Sequence, residues 1–374
     1  MSRRSLLIVA GTGLLLGFVP GALAQEWTWT SLHPKGQDRS LVRAVGAGLQ
    51  AGYTVAVPGG PNHAALWSGL ASSWIDLHPA GADFSVVLGV DGPLQAGSAW
   101  FGNGFQAGTW RGSAASWTSL HPTGAAESVA NGAGGGQQAG FATSPGGWAH
   151  AGYWTGSASS WVDLHPAGAF RSTAYATTGS QQAGYVEQTP GVTHGALWSG
   201  TAQSWIDLHP AGYLGSIAYG ASGDQQVGSA TLPSGLSGHA GIWNGSASSW
   251  VNLHPSGAVS SHASATDGLH QVGVVGFGAF DSRASIWSGS AQTWVDLGSI
   301  LPSSYTLSQA HSVATVNGTV VVGGWALNSL TGQLEAVIWA QVPSPTTFWT
   351  IGLCALIAVR RRRRVASTQS PKGR

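Results

Sequence analysis

The pair Trp67 and Trp74 recurs as Trp110/Trp117, Trp154/Trp161, Trp198/Trp205, Trp243/Trp250 and Trp287/Trp294, always seven residues apart. Leu-His-Pro follows each of the first five pairs, and one more copy precedes them. Histidines therefore fall at His33, His78, His121, His165, His209 and His254, with gaps of 43 to 45 residues. A fixed period of this length marks a repeat architecture, in which each unit is a supersecondary element that buries its faces only by stacking on its neighbours.

Each unit opens with a serine: Ser40, Ser85, Ser128, Ser172, Ser216, Ser261 and Ser312. Ten residues on stands Gln50, Gln95, Gln138, Gln182, Gln226 or Gln271, with Val322 in the seventh unit. Gly, Ser and Thr alternating with apolar residues read as short strands and tight turns. The unit divides into four strands. Strand a runs from the serine, b follows the glutamine, c ends at the first Trp and d starts at the second. Ser68-Gly69 and its equivalents supply turn chemistry between c and d. On strand d, alternation sends Trp74 and Asp76 to one face and Ile75 and Leu77 to the other. A sheet with bulk on both faces needs cover on both sides, as blades give one another around an axis.

The seventh unit ends after its strand c, Glu335 to Trp339. The missing strand d stands at the other end as Trp27-Thr-Trp-Thr-Ser31, with Trp29 in the place of Trp74. The expectation is an all-β, seven-bladed propeller of roughly 44-residue four-stranded repeats, its ring closed by the N-terminal strand completing the last blade. A linear β-solenoid is the alternative, but it gives no reason for a split unit. The chain divides into residues 1–24, a propeller over 25–341 and a tail over 342–374.

The overall charge of +1 conceals a division. The body has six basic residues, Lys35, Arg39, Arg43, Arg111, Arg171 and Arg283, against all 14 acids, a net −8. Phosphate tracking needs clustered Lys and Arg, so nucleic acid is not an expected partner. The one cysteine, Cys354, lies in the tail, so packing must stabilise the body.

Residues 1–24 read as an export signal: Arg3 and Arg4, an apolar run from Leu6 to Val19, and Ala22-Leu23-Ala24 as the small-x-small cleavage pattern. The paired arginines fit the general secretory route and also the twin-arginine route.

His63-Ala-Ala-Leu-Trp67, His194-Gly-Ala-Leu-Trp198 and Trp294-Val-Asp-Leu-Gly298 resemble the HAF family of extracellular repeats over about residues 40–340. This chain has Leu-His-Pro where that family tends to have Leu-Gly. The resemblance implies an exported repeat protein and no particular reaction. In the tail, Val342, Pro343, Ser344 and Pro345 precede an apolar run from Phe348 to Val359, then Arg360, Arg361, Arg362, Arg363 and Arg364. This order resembles the PEP-CTERM sorting domain, with Ser344 where that family has Glu. The resemblance implies processing by an exosortase-like membrane protease, and delivery to the cell surface or extracellular matrix with transient or stable membrane anchoring through the tail helix.

Histidine after six of the seven strands d, with Gly298 after the other, suggests zinc or copper, since imidazole ligates both. Equivalent positions in neighbouring blades lie too far apart to share one ion at ~2.0–2.1 Å. His78, His121, His165, His209 and His254 are therefore read as turn-fixing residues, with no metal and no cofactor. Trp74, Trp117, Trp161, Trp205 and Trp250 are read as structural, because strict repetition of a large ring points to packing between blades. Asp76, Asp163, Asp207 and Asp296 share one repeat position and suit turn caps better than a single catalytic acid. Glycosidases need two particular carboxylates across a cleft, and the pattern pairs none of the unrepeated acids. Trp100 and Trp148 break the period and fall in b–c connections, which makes them candidate ligand contacts. The leading expectation is a surface or matrix structural or binding module of unknown ligand, its partner an extracellular polysaccharide or envelope protein. The alternative is an exported polysaccharide-acting hydrolase or lyase.

Overall fold

The computed structural model describes residues 26–342 apart from Leu236. The expected export signal and the tail beyond Val342 lie outside the described residues, and Val342 itself is exposed.

Seven antiparallel four-stranded sheets form a seven-bladed β-propeller. Blade 1 has strands a to d at Arg39–Gly46, Leu49–Val55, His63–Trp67 and Ile75–Asp76. The inner strands of blades 2 to 6 are Phe84–Asp91, Glu127–Gly134, Arg171–Thr177, Gly215–Ser222 and Ser260–Thr266. Blade 7 takes Tyr305–Val316, Thr319–Asn328 and Gln333–Gln341 from the end of the body and Trp27–Ser31 from its start. Thr30 pairs with Ile338 as Ile75 pairs with Leu66 in blade 1, which puts Trp29 at the position of Trp74. The split unit closes the ring.

One packing unit repeats between all blades. Leu77 from the d–a linker of blade 1 packs on Val87 and Trp110 of blade 2. Leu120 with Ala130 and Trp154, and Leu32 with Val42 and Trp67, are copies of it. The seven leucines and the seven strand-c tryptophans are 0% exposed. Each such burial contributes roughly 2–3 kcal/mol before entropy is counted.

Two polar devices hold this core. The repeat serine accepts a hydrogen bond from a strand-c backbone N–H of the preceding blade: Ala64 to Ser85 at 2.8 Å, Ala151 to Ser172 at 2.9 Å, and Ala336 to Ser40 at 2.9 Å across the closure. The repeat glutamine accepts from the backbone of the c–d turn, as Gln50 Oε1 does from Gly69 N–H at 2.7 Å. Gly69 has φ of +84°, a conformation that favours glycine. Val322 replaces the glutamine in the one blade whose strands c and d are not joined by a turn, so there is nothing there to pin.

Two sequence expectations need correction. The repeat serine of blade 7 is Ser308, not Ser312, because Ser308 Oγ accepts from Ala284 N–H at 3.0 Å. The a–b hairpin of blade 7 is longer by two residue pairs and displaces the spacing; Ser312 Oγ instead accepts from Val45 N–H of blade 1. Strand d is also only two residues long in blade 1, and its Ile75 is 44% exposed rather than covered with Leu77. Ile206, Val251 and Val295 repeat this exposure. Blades diverge with distance from the axis, so no neighbour reaches the outermost strand, whereas Leu77 turns back inward on the linker with its N–H on Ala64 O.

Candidate functional site: the axial channel and its side groove

The histidines of Leu-His-Pro serve the blade-to-blade joints. In all six, Nδ1 lies 2.8–3.1 Å from the next blade's serine Oγ, and Nε2 lies 2.8–3.2 Å from a carbonyl four residues on. The carbonyl can only accept, so Nε2–H donates to it and the serine O–H donates to Nδ1. Both nitrogens are engaged, and no lone pair is left for a metal ion. Among the described residues no cluster of three His, Cys, Asp or Glu side chains suits a metal.

Four of these rings carry a second histidine. His63 stacks on His78, His150 on His165, His194 on His209 and His239 on His254, at 3.8–4.1 Å between centroids and within 11° of parallel. His63 Nδ1 lies 3.1 Å from Asp76 Oδ2, and Asp76 Oδ1 accepts the His78 backbone N–H at 2.8 Å. The repeated Asp is thus a turn cap. Burial lowers the pKa of His78, His165 and His209, and the stacked partner ring lowers it further.

The chemistry that differs from blade to blade faces the axis. Every inner strand has a β-bulge three residues after its serine. A bulge leaves one residue outside the ladder and redirects its side chain. Six of the seven bulge residues are Arg43, Leu88, Asn131, Tyr175, Tyr219 and His311, and Ser264 completes the ring. They line an axial cavity of about 480 Å³ together with His262. Tyr175 lies 5.3 Å from Tyr219, Tyr219 lies 6.1 Å from His262, and Arg43 Nη1 lies 3.4 Å from His311 Nε2. Burial raises both tyrosine pKa values, holds His262 at about 4 and depresses His311 strongly, with Arg43 adding to the effect on His311. Both imidazoles are neutral near pH 7.

Between blades 3 and 4 a groove of about 360 Å³ shares Asn131 and Tyr175 with the channel. Phe141, Trp148, Arg171 and Tyr185 also line it. Trp148 is 54% exposed, with its ring 4.4 Å from Phe170. Arg171 is bound to the buried Glu187. No carboxylate lines the groove or the channel among the described residues. Trp100 sits elsewhere, packed edge-on to Phe105 at 4.9 Å in an aromatic cluster with Phe84. Of the two period-breaking tryptophans, one therefore faces a cavity and the other fills a gap. The unrepeated acids are dispersed: Asp83 and Asp91 accept backbone N–H groups, Asp281 pairs with Arg283, and Asp267 binds His270 and Thr315. The bulge ring is not evident from the repeat pattern; its signal is a strand-a position, three after each serine, where the repeats disagree in side-chain type.

No protein-family model matches the chain, and no curated protein matches it. Among solved structures, the S511A mutant of puromycin hydrolase complexed with PGG is similar at TM-score 0.51 and 11% identity, over 82% of this chain and 54% of that one. The β-propeller domain of the Trilobed protease from Pyrococcus furiosus, described as an open velcro, is similar at TM-score 0.50 and 8% identity, over 79% and 91%. TolB from Acinetobacter baumannii gives TM-score 0.47 at 12% identity, over 66% and 62%. The chain spans about half the length of puromycin hydrolase and under two thirds of TolB. At these identities the likeness concerns the propeller fold alone.

Proposed function

We propose that this protein is an exported binding module of the cell surface or matrix that holds saccharide chains in the groove beside Trp148. The observation that carries the reading is an indole 54% exposed over a groove of aromatic and hydrogen-bonding side chains with no carboxylate in it. Sugar rings present C–H faces to an aromatic plane and hydroxyls to groups such as Asn131 and Tyr185. Glycoside hydrolysis needs a proton-donating and a nucleophilic or basic carboxylate, and the lack of any there favours capture over cleavage.

The export signal and the Val342 to Arg364 pattern support delivery to the envelope, with an exosortase-like protease as the processing partner. The decisive experiment screens the purified protein against a glycan array and chromogenic glycosides. Saturable binding without turnover, lost in Trp148→Ala at unchanged melting temperature, is the expected result. Turnover abolished by replacing one unrepeated acid, such as Glu127, would replace this reading with a polysaccharide-acting enzyme.

A further inference from the structure

Six basic residues lie in the propeller, and three of them, Lys35, Arg39 and Arg111, are exposed and need no partner. The other three are partly buried. Arg171 is bound to Glu187, and Arg283 to both Asp281 and Asp296. Arg43 is the exception. Its one side-chain hydrogen bond among the described residues is the 3.4 Å approach to His311, and its Nε is buried without a partner there. The axial cavity into which it projects has no acidic residue in its lining. A guanidinium keeps its charge at any physiological pH, and a partly buried charge without a counterion is unfavourable.

We propose that the axial channel binds a small hydroxylated carboxylate, of the size of a hexuronate, through Arg43. The planar fork of a guanidinium matches a carboxylate with two parallel N–H···O bonds. One fixed positive charge balances a singly charged group, and the neutral His262 and His311 add none that would favour a phosphate dianion. The cavity, at about 480 Å³, falls in the range of small-molecule sites. Tyr175, Tyr219, Asn131 and Ser264 offer hydroxyl and amide partners around the ring for the ligand's own hydroxyls.

This site adjoins the groove, sharing Asn131 and Tyr175 with it, and each has its own readout: neutral glycans at Trp148, charged monosaccharide at Arg43. The test titrates the purified full-length protein with glucuronate, glucose and inorganic phosphate by calorimetry, following the His262 and His311 ring signals by NMR in parallel. The expected result is saturable glucuronate binding that shifts both histidine signals, with no binding of glucose and at least tenfold weaker binding of phosphate. Arg43→Met should abolish glucuronate binding, and Arg43→Lys should weaken it about tenfold by losing the fork. Should Arg43→Met fail to fold, the Arg43→Lys variant and the histidine shifts of the parent decide the matter. Absence of glucuronate binding to the parent, equal binding by glucose, phosphate binding at least as tight, unmoved histidine signals or undiminished binding in Arg43→Lys would each overturn the proposal.

Discussion

A Cβ on Gly152 would lie 2.2 Å from Cη2 of Trp161. Gly108 and Gly241 stand in the same relation to Trp117 and Trp250, at 2.1 Å. In these three blades the strand-d tryptophan leans across strand c and meets the buried strand-c tryptophan at 4.5–4.6 Å. Blades with Ala65, Ala196 or Ser285 at that position form no such tryptophan pair among the described residues, and Trp294 Nε1 instead donates to Ser285 Oγ at 2.9 Å. A Cβ at this one position decides which way the indole packs.

Gly152→Ala should therefore force Trp161 off its partner. The expected loss is about 1–3 kcal/mol, the usual range for overpacking, with a weakened near-ultraviolet circular dichroism signal. Gly195→Ala is the matched control. Six blades already carry alanine at its position, as Ala64 and Ala107 show, so that variant should be neutral or more stable by about 0.4–1 kcal/mol. Denaturant titration compares the two, and an equal loss in both would dismiss the steric account.

Removal of residues 25–34 should strip strand d from blade 7 and bare the edge of Gln333–Gln341. An unpaired strand edge templates association. Light scattering should show oligomers, and thermal unfolding should broaden. A deletion that melts as a monomer at the parent temperature would contradict closure by this strand.

Acid should destabilise the fold from below about pH 6.5, the ordinary histidine value. Burial depresses the pKa of His78, His165, His209, His239, His254, His262 and His311 in the folded state. Protons bind the unfolded chain more readily, so the stability these groups contribute is present above the unfolded pKa and is lost as pH falls through the folded values. Melting temperature should decline steadily from pH 7 to pH 4.5. A flat profile over that interval would mean the rings are charged or indifferent in the folded state.

Deleting residues 342–374 should turn a cell-associated protein into a freely secreted one. The apolar run can pause in a bilayer, and Arg360 to Arg364 resist translocation because charge is unfavourable in hydrocarbon. Fractionation of cells and medium with antibody to the repeat body reads the outcome, and identical distributions for both forms would remove the tail from the sorting pathway.

The ring was legible because its determinants recur in the sequence: Leu32, Trp339 and Ser40 are copies of residues seen in other units, and the split unit named the closing strand. Ser312 was misread because spacing alone cannot register an extended hairpin, whose two added pairs leave the alternation intact. Ile75 was misread because alternation reports which residues share a face and says nothing about how far the next blade reaches. Trp148 stood out by breaking the period. Arg43 did not, because its meaning comes from convergence of seven strands on an axis, a property that no single unit contains.

Closure by Trp27–Ser31 also orders events in time. Thr28 and its partner Ala340 are 312 residues apart, so this pairing belongs to the slow, non-local class of contacts. The first strand of the propeller to be synthesised is the last to find a partner. It remains single until the final hairpin exists, and a chain lacking that hairpin offers it none. The N-terminal strand thereby acts as a check on completeness, satisfied only when every blade between it and Gln341 has been made.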